Sequence, residues 1–414
     1  MRSLRLALIV AGLLAALALA PGAAQARRPA TVPDLGGGHV RRAGMADLNL
    51  PYGGGTVLHW NRTHLIFWQP AGSGLTFDPG YQALIETFLA NVAAASRSST
   101  STYGLTGQYR DQHGPATYAS IYGGAVTATD SLPPNDCTEP AGVGPGWSVC
   151  LTDEQLQHEI ERVVRRERLP TTPNDVYFLV TPNGLGDCEY ANSTSCALGG
   201  DSGGYCGYHS VTDDGLVLYA VIPYNAVPGH CQSENPRPNN STADPAISTI
   251  SHENIEMVTD PLGNAWIDPS TGDEVGDLCL TRFGSPIGGS GAAAWNEDIN
   301  GGHYYLQEEW SNYNRRCEPH ARPDSVLFTA RTRAGLSDWF AARARDPQGR
   351  IVAYRWFFGD GRTGAGKRVL HRYLHHGQYR VVLRTTDSWG NWAFYAATLT
   401  VSRGAVAVVA TNRG

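Results

Sequence analysis

Two nearly continuous apolar runs, 176–180 (VYFLV) and 216–222 (LVLYAVI), most restrict what this chain can become. Apolar residues at successive positions bury both faces of a strand, and such a sheet needs a layer packed on each side. Pro223 ends the second run. Tyr81, Leu84, Ile85, Phe88, Leu89 and Val92 form the apolar stripe of a helix that begins near Asp78. Leu156, Ile160, Val163 and Val164 do the same for a helix opened by a Thr152–Gln155 capping box and stopped by Pro170. Short strands are predicted at 56–60 and 64–68. Strands alternating with helices give an α/β layered domain with one sizeable core.

Residues 1–26 carry Arg2 and Arg5, an apolar run over 6–20 and Ala24-Gln25-Ala26, the pattern of a secretory signal peptide. The run is too short for a membrane span, and no second one follows. Eight cysteines lie downstream: Cys137, Cys150, Cys188, Cys196, Cys206, Cys231, Cys279 and Cys317. None forms a C-x-x-C pair, so four disulfides in an oxidising compartment are expected. Pairing of sequence neighbours is the simplest of the about 105 connectivities that eight cysteines allow.

All eight precede residue 320, and charge divides there as well. From Pro323 onward lie 14 of the 32 Lys+Arg but 5 of the 38 Asp+Glu. The expected organisation is a signal peptide (1–26), a flexible leader (27–54), an acidic catalytic-type domain (55–322), a basic accessory domain (323–402) and a tail (403–414). The basic residues are spread along strands rather than bunched, which argues against nucleic acid as partner.

The stretch 244–261 reads as a helix with Asp244 as N-cap, Pro245 in its first turn and Pro261 beyond its end. Ile247, Ile250, Ile255 and Val258 supply an apolar side. His252 and Glu256 lie one turn apart, so an imidazole nitrogen and a carboxylate oxygen reach one cation. This is the H-E-x-x-H geometry of zinc proteases with glutamate in place of the second histidine. A cation so held acidifies water, and Glu253, unligated, is the base that takes the proton. The turn-rich segment that follows offers a third ligand: Asp277 first, two residues before Cys279, then Glu274 and Asp260. Zinc is the expected ion. Calcium on Asp268, Asp273 and Asp277 is the alternative.

Residues 200–204 spell GDSGG, which makes Ser202 a second candidate nucleophile of the kind found in serine proteases. The surroundings are α/β, and neither upstream histidine, His113 or His158, sits in a fitting motif. His209 and His230 flank the expected Cys206–Cys231 bridge and read as core or loop histidines. His303 and Tyr304 are candidates to face a cleft.

Phe67-Trp68-Gln69-Pro70, Tyr177-Phe178-Leu179-Val180-Thr181-Pro182, Cys206-Gly207-Tyr208-His209-Ser210, Tyr219 to Tyr224 and Ser251-His252-Glu253 through Trp266 resemble the phosphate-induced protein 1, or EXORDIUM-like, family over about 60–320. Plant members are extracellular proteins linked to cell expansion, so the resemblance implies secretion. The bacterial relatives that resemble this chain carry the His-Glu pattern. The resulting fold class is an α/β metalloprotease-like domain with disulfides.

Beyond Pro323 the pattern changes to short alternating strands, at 351–356 and 379–383, around a turn at 358–361. Trp356 to Gly361, His371 to Tyr373, Gly377 to Leu383 and Asp387 to Gly390 resemble the signatures of a PKD domain. That resemblance implies an all-β immunoglobulin-like sandwich, here with Phe357 in place of the usual acid. It also implies a module that engages extracellular protein or polysaccharide, with Trp389 and Trp392 as candidate contacts.

Overall fold

The computed structural model describes residues 49–98, 101–140, 146–198, 204–320, 324–334, 336–346, 350–388 and 392–402, with the backbone of 30–33 and 405–413. In the N-terminal domain the main strands are β1 (Ala30–Pro33), β2 (Asn61–Trp68), β3 (Ser120–Ala128), β4 (Asp175–Val180), β5 (Tyr205–Val211) and β6 (Leu218–Ile222). They form one sheet in the order β1-β5-β6-β4-β2-β3. From β6 to β3 the pairing is parallel, and β5 and β1 add an antiparallel edge.

Alternation along the strands assigns each residue to a layer. Leu65, Phe67, Phe178, Ala220 and Ile222 belong to the core shared with α1 (Tyr81–Ala94) and α3 (Ala243–Thr259). Ile66, Trp68, Tyr177, Leu179, Tyr219 and Val221 belong to the core shared with α2 (Asp153–Glu167). The 176–180 run and residues 218–222 of the second run are therefore covered on two faces, whereas Leu216 lies outside the strand and is exposed. The Thr152–Gln155 capping box is present at the start of α2.

Several boundaries differ from expectation. The flexible leader is instead tied down in part: β1 pairs with β5, and Leu50 is fully buried, its N–H donating to Asn312 Oδ1 at 2.8 Å. Residues 56–60 form no strand, because Leu58 N–H donates to Val258 O at the end of α3. Thr242, not Asp244, occupies the N-cap of α3. The Asp244 carboxylate reaches back to the Ser241 N–H at 3.1 Å and the Asn239 amide at 2.7 Å. The helix stops at Thr259, two residues before Pro261.

All four neighbour pairings form: Cys137–Cys150, Cys188–Cys196, Cys206–Cys231 and Cys279–Cys317. No helix among the described residues is long and apolar enough to cross a membrane.

The C-terminal domain is all β. One sheet holds β7 (Asp324–Ala334), β8 (Ser337–Arg345) and β11 (Arg368–Arg372). The other runs β10 (Thr363–Ala365), β9 (Ile351–Phe357), β12 (Gly377–Asp387), β13 (Trp392–Ser402) and β14 (Ala405–Arg413). Phe328 and Phe340 from the first sheet pack on Trp356, Leu383 and Leu399 from the second, so the two close as a sandwich. Of the expected tail at 403–414, the backbone of 405–413 continues the sheet as β14. Gly359 has φ 83°, and a Cβ there would lie 2.7 Å from Arg380 O, which explains the glycine in that turn. Asp360 and His371 pair at 2.9 Å, with the imidazole stacked on Phe358. Trp392 is half-buried beneath Arg384, and Trp389 lies outside the described residues.

Candidate metal centre

An amphipathic α3 would meet water on one side. Instead every residue from Ala243 to Thr259 is buried. The sheet and α1 take one flank, and 274–279 and 303–310 close over the polar one. His252 and Glu256 project together, with His252 Nε2 3.1 Å from Glu256 Oε2. The approach lacks hydrogen-bond geometry, and neither atom has another hydrogen-bond partner. Two donor-type atoms that close, neither satisfied by a hydrogen bond, have the arrangement of co-ligands around a third centre. Asp277 Oδ1, 3.7 Å from His252 Nε2, is likewise without a hydrogen-bond partner.

The loop is held by the helix itself. Glu256 Oε1 accepts the backbone N–H groups of Gly276 at 3.0 Å and Asp277 at 3.2 Å, and Cys279–Cys317 anchors the segment two residues later. Gly276 passes so close that a Cβ would stand 2.5 Å from the His252 ring. Behind that ring, Gln307 Nε2 donates to Gly276 O at 2.7 Å and lies 3.1 Å from His252 Nδ1.

The sheet contributes a second imidazole. His209 on β5 pairs with Ala220 on β6, and Ala220 faces α3, so His209 does too. Its Nδ1 lies 3.0 Å from Glu253 Oε2 and 3.8 Å from Glu256 Oε2, and its Nε2 lies 3.6 Å from Glu274 Oε2. Among the described residues, two buried groups therefore gather ligand atoms within 4.8 Å of one another. They are His252–Glu256–Asp277 and His209–Glu256–Glu274.

Glu253, Glu256, Glu274 and Glu309 are fully buried and Asp277 is 7 % exposed. Burial raises the pKa of Glu274, Asp277 and Glu309, and neighbouring carboxylates raise it further. Burial also raises that of Glu253, against the pull of His209. Burial opposes ionisation of Glu256 too, yet His252, His209 and the loop N–H groups hold its pKa below the usual carboxylate range. Burial disfavours the charged form of His252, but facing Glu256 lifts its pKa well above the ordinary value. Buried carboxylates at this density require protons or a cation. The nitrogen and oxygen donors, several of them unpartnered, fit a divalent ion such as zinc.

The remaining candidates separate. Asp260 Oδ1 accepts the N–H groups of Asn264 and Ala265, both at 2.7 Å, which closes the turn after α3, and Asp260 joins neither ligand group. Asp268 Oδ1 accepts from Ser270 and Asp273 Oδ2 from Thr271, so the calcium set Asp268, Asp273 and Asp277 does not assemble. His303 stacks on Trp295, and Tyr304 OH accepts from Asn91 Nδ2 in the α1 layer. The same segment instead sends Gln307 and Glu309 towards the site, through the Trp310 N–H bond to Val275 O. Ser202 lies outside the described residues, and His113 and His158 are exposed. Glu309 gave no sequence signal. His209 was placed by the pairing of its strand with Ala220, a register that the sequence does not display.

The PKD domain family matches residues 321–402. A microbial collagenase from Vibrio alginolyticus is 32% identical over 98 residues, covering 23% of this chain and 12% of that protein. Protein EXORDIUM-like 5 from Arabidopsis thaliana is 28% identical over 165 residues, covering 34% of this chain and 42% of that protein. The chain therefore spans less than half the length of either relative. Among solved structures, the PKD1 domain of Vibrio anguillarum Epp is 30% identical, covering 20% of this chain and 95% of that one, with a TM-score of 0.19. Together these matches give the chain an EXORDIUM-like segment followed by a C-terminal PKD domain.

Proposed function

We propose that the N-terminal domain is a secreted, metalloprotease-like hydrolase acting on peptide bonds, with zinc on His252, Glu256 and Asp277 and with Glu253 as general base. The observation that carries this reading is the convergence of His252 Nε2, Glu256 Oε2 and Asp277 Oδ1, all buried and none with a hydrogen-bond partner. A divalent ion there supplies a Lewis acid that acidifies water and polarises a carbonyl. Glu253 is adjacent to His252 on the helix, with Oε2 against His209 and Oε1 without a hydrogen-bond partner. Its burial-raised pKa suits proton uptake nearer neutrality than an exposed glutamate allows. The signal-like N-terminus, the paired cysteines and the PKD match support an extracellular setting, with the PKD domain engaging protein or polysaccharide.

A second reading, a non-catalytic extracellular binding protein with a structural ion, is favoured by the burial of every residue in the cluster. Metal analysis of purified protein, together with casein hydrolysis by wild type and Glu253→Gln, separates the two. Bound zinc and wild-type hydrolysis, reduced by about 10²–10⁴-fold in the variant, are expected. Bound metal with no hydrolysis by wild type sinks the enzyme reading and leaves the binding protein.

A further inference from the structure

We infer that the buried cluster holds two divalent cations, one at His252 and Asp277 and one at His209 and Glu274, with Glu256 Oε2 shared between them. This rests on the metal-dependent reading above and goes beyond its single ion. Ligand atoms on one zinc, each about 2.0–2.2 Å from it, cannot stand much more than about 4 Å apart. The two imidazoles fall into separate groups, each completed by its own loop acid, with Glu256 the member they have in common.

Glu256 is fitted to that position. Its Oε1 is taken by the N–H groups of Gly276 and Asp277, which leaves Oε2, 3.1 Å from His252 Nε2, as the oxygen without a hydrogen bond, and Glu256 belongs to the His209–Glu274 group as well. On the far side, both carboxylate oxygens of Glu274 are buried and without a hydrogen-bond partner. His209 is prepared as a ligand by Glu253. With Nδ1 on that carboxylate, Nε2 is the ring nitrogen directed at Glu274, in the manner of carboxylate-oriented metal histidines.

Charge points the same way. Glu253, Glu256, Glu274 and Asp277 are each 7 % exposed or less and stand within 4 Å of one or both of two imidazoles. One dication offsets two carboxylates, and a second offsets two more. The pair of oxygen-bridged ions that this describes stands about 3.5–4 Å apart in hydrolases that use two metals.

The test is metal stoichiometry of the full chain, dialysed with zinc and then against metal-free buffer, read by elemental analysis. Two zinc per chain are expected, falling to one in His209→Ala and in Glu274→Gln while the His252 ion stays bound. Reconstitution with manganese(II) gives a second readout in wild type: magnetic coupling between the ions in the electron paramagnetic resonance spectrum. One zinc per chain and an uncoupled spectrum overturn the inference and leave the single-ion reading standing. No bound metal overturns both. Should either variant fail to fold, the wild-type stoichiometry and spectrum decide.

Discussion

His209 Nδ1 stands 3.0 Å from Glu253 Oε2, joining the middle of a sheet strand to the buried helix across 44 residues of sequence. Through this contact the sheet, rather than the helix alone, sets the orientation of the residue proposed as base. The His252 side is organised differently, by a loop bonded to Glu256 and a glutamine behind the ring.

Removal of the ion should destabilise the domain. Wild type loses about 4 kcal/mol on chelation of an ion supplied at about 1,000-fold above its Kd, and His252→Ala loses the part of the response that belongs to the His252 ion. Zinc binding strengthens as pH rises, because the raised pKa values of Glu274 and Asp277 keep protons on them that the ion must displace. Thermal melts with and without chelator, and zinc titrations from pH 5 to 8, check both statements. A melting temperature insensitive to chelator counts against a bound ion.

Gln307→Leu keeps the side-chain bulk but removes the amide that ties His252 Nδ1 to Gly276 O. Zinc affinity should fall about 10–100-fold with the fold retained. Calorimetric titration beside circular dichroism makes the measurement, and unchanged affinity removes Gln307 from the site.

Gly276→Ala places a methyl 2.5 Å from the His252 ring. The ring is buried and backed by Gln307, so it has little room to yield. A loss of about 1–3 kcal/mol in urea unfolding is expected, together with weaker zinc binding. Wild-type behaviour in both would show that the loop shifts at no cost.

Asp187 is fully buried, and burial pushes its pKa up to about 7, against the hydrogen bond from Tyr205. An unfolded aspartate titrates near 3.9, so between about pH 4 and 7 the folded state keeps a proton that the unfolded chain has released. This group therefore lowers stability as pH rises through that window, by up to about 4 kcal/mol above it. Asp187→Asn removes that slope and keeps an acceptor for Tyr205. Denaturant unfolding at pH 5 and 8 should show a smaller drop in the variant than in wild type, and equal drops refute the assignment.

Local periodicity was enough to place the elements whose side chains answer to it. Residues 176–180 and 218–222 became neighbouring buried strands, α1 and α2 buried the expected stripes, and His252 and Glu256 converged because helical spacing puts them there. The cysteines paired with near neighbours, and the composition change near residue 320 marked the start of a β-sandwich.

Which acids joined the helix was settled by long-range packing. Asp260 and Asp277 both follow the helix, and Asp260 turns to cap backbone N–H groups while Asp277, the first choice from its place beside Cys279, is carried to His252 by the loop bound on Glu256. His209 reached the same centre through strand register, and Glu309 through a segment packed from beyond it. The helix pattern also concealed its own complete burial. Periodicity records which residues share a face, whereas the partner covering that face comes from distant chain, brought there by the packing of the whole domain.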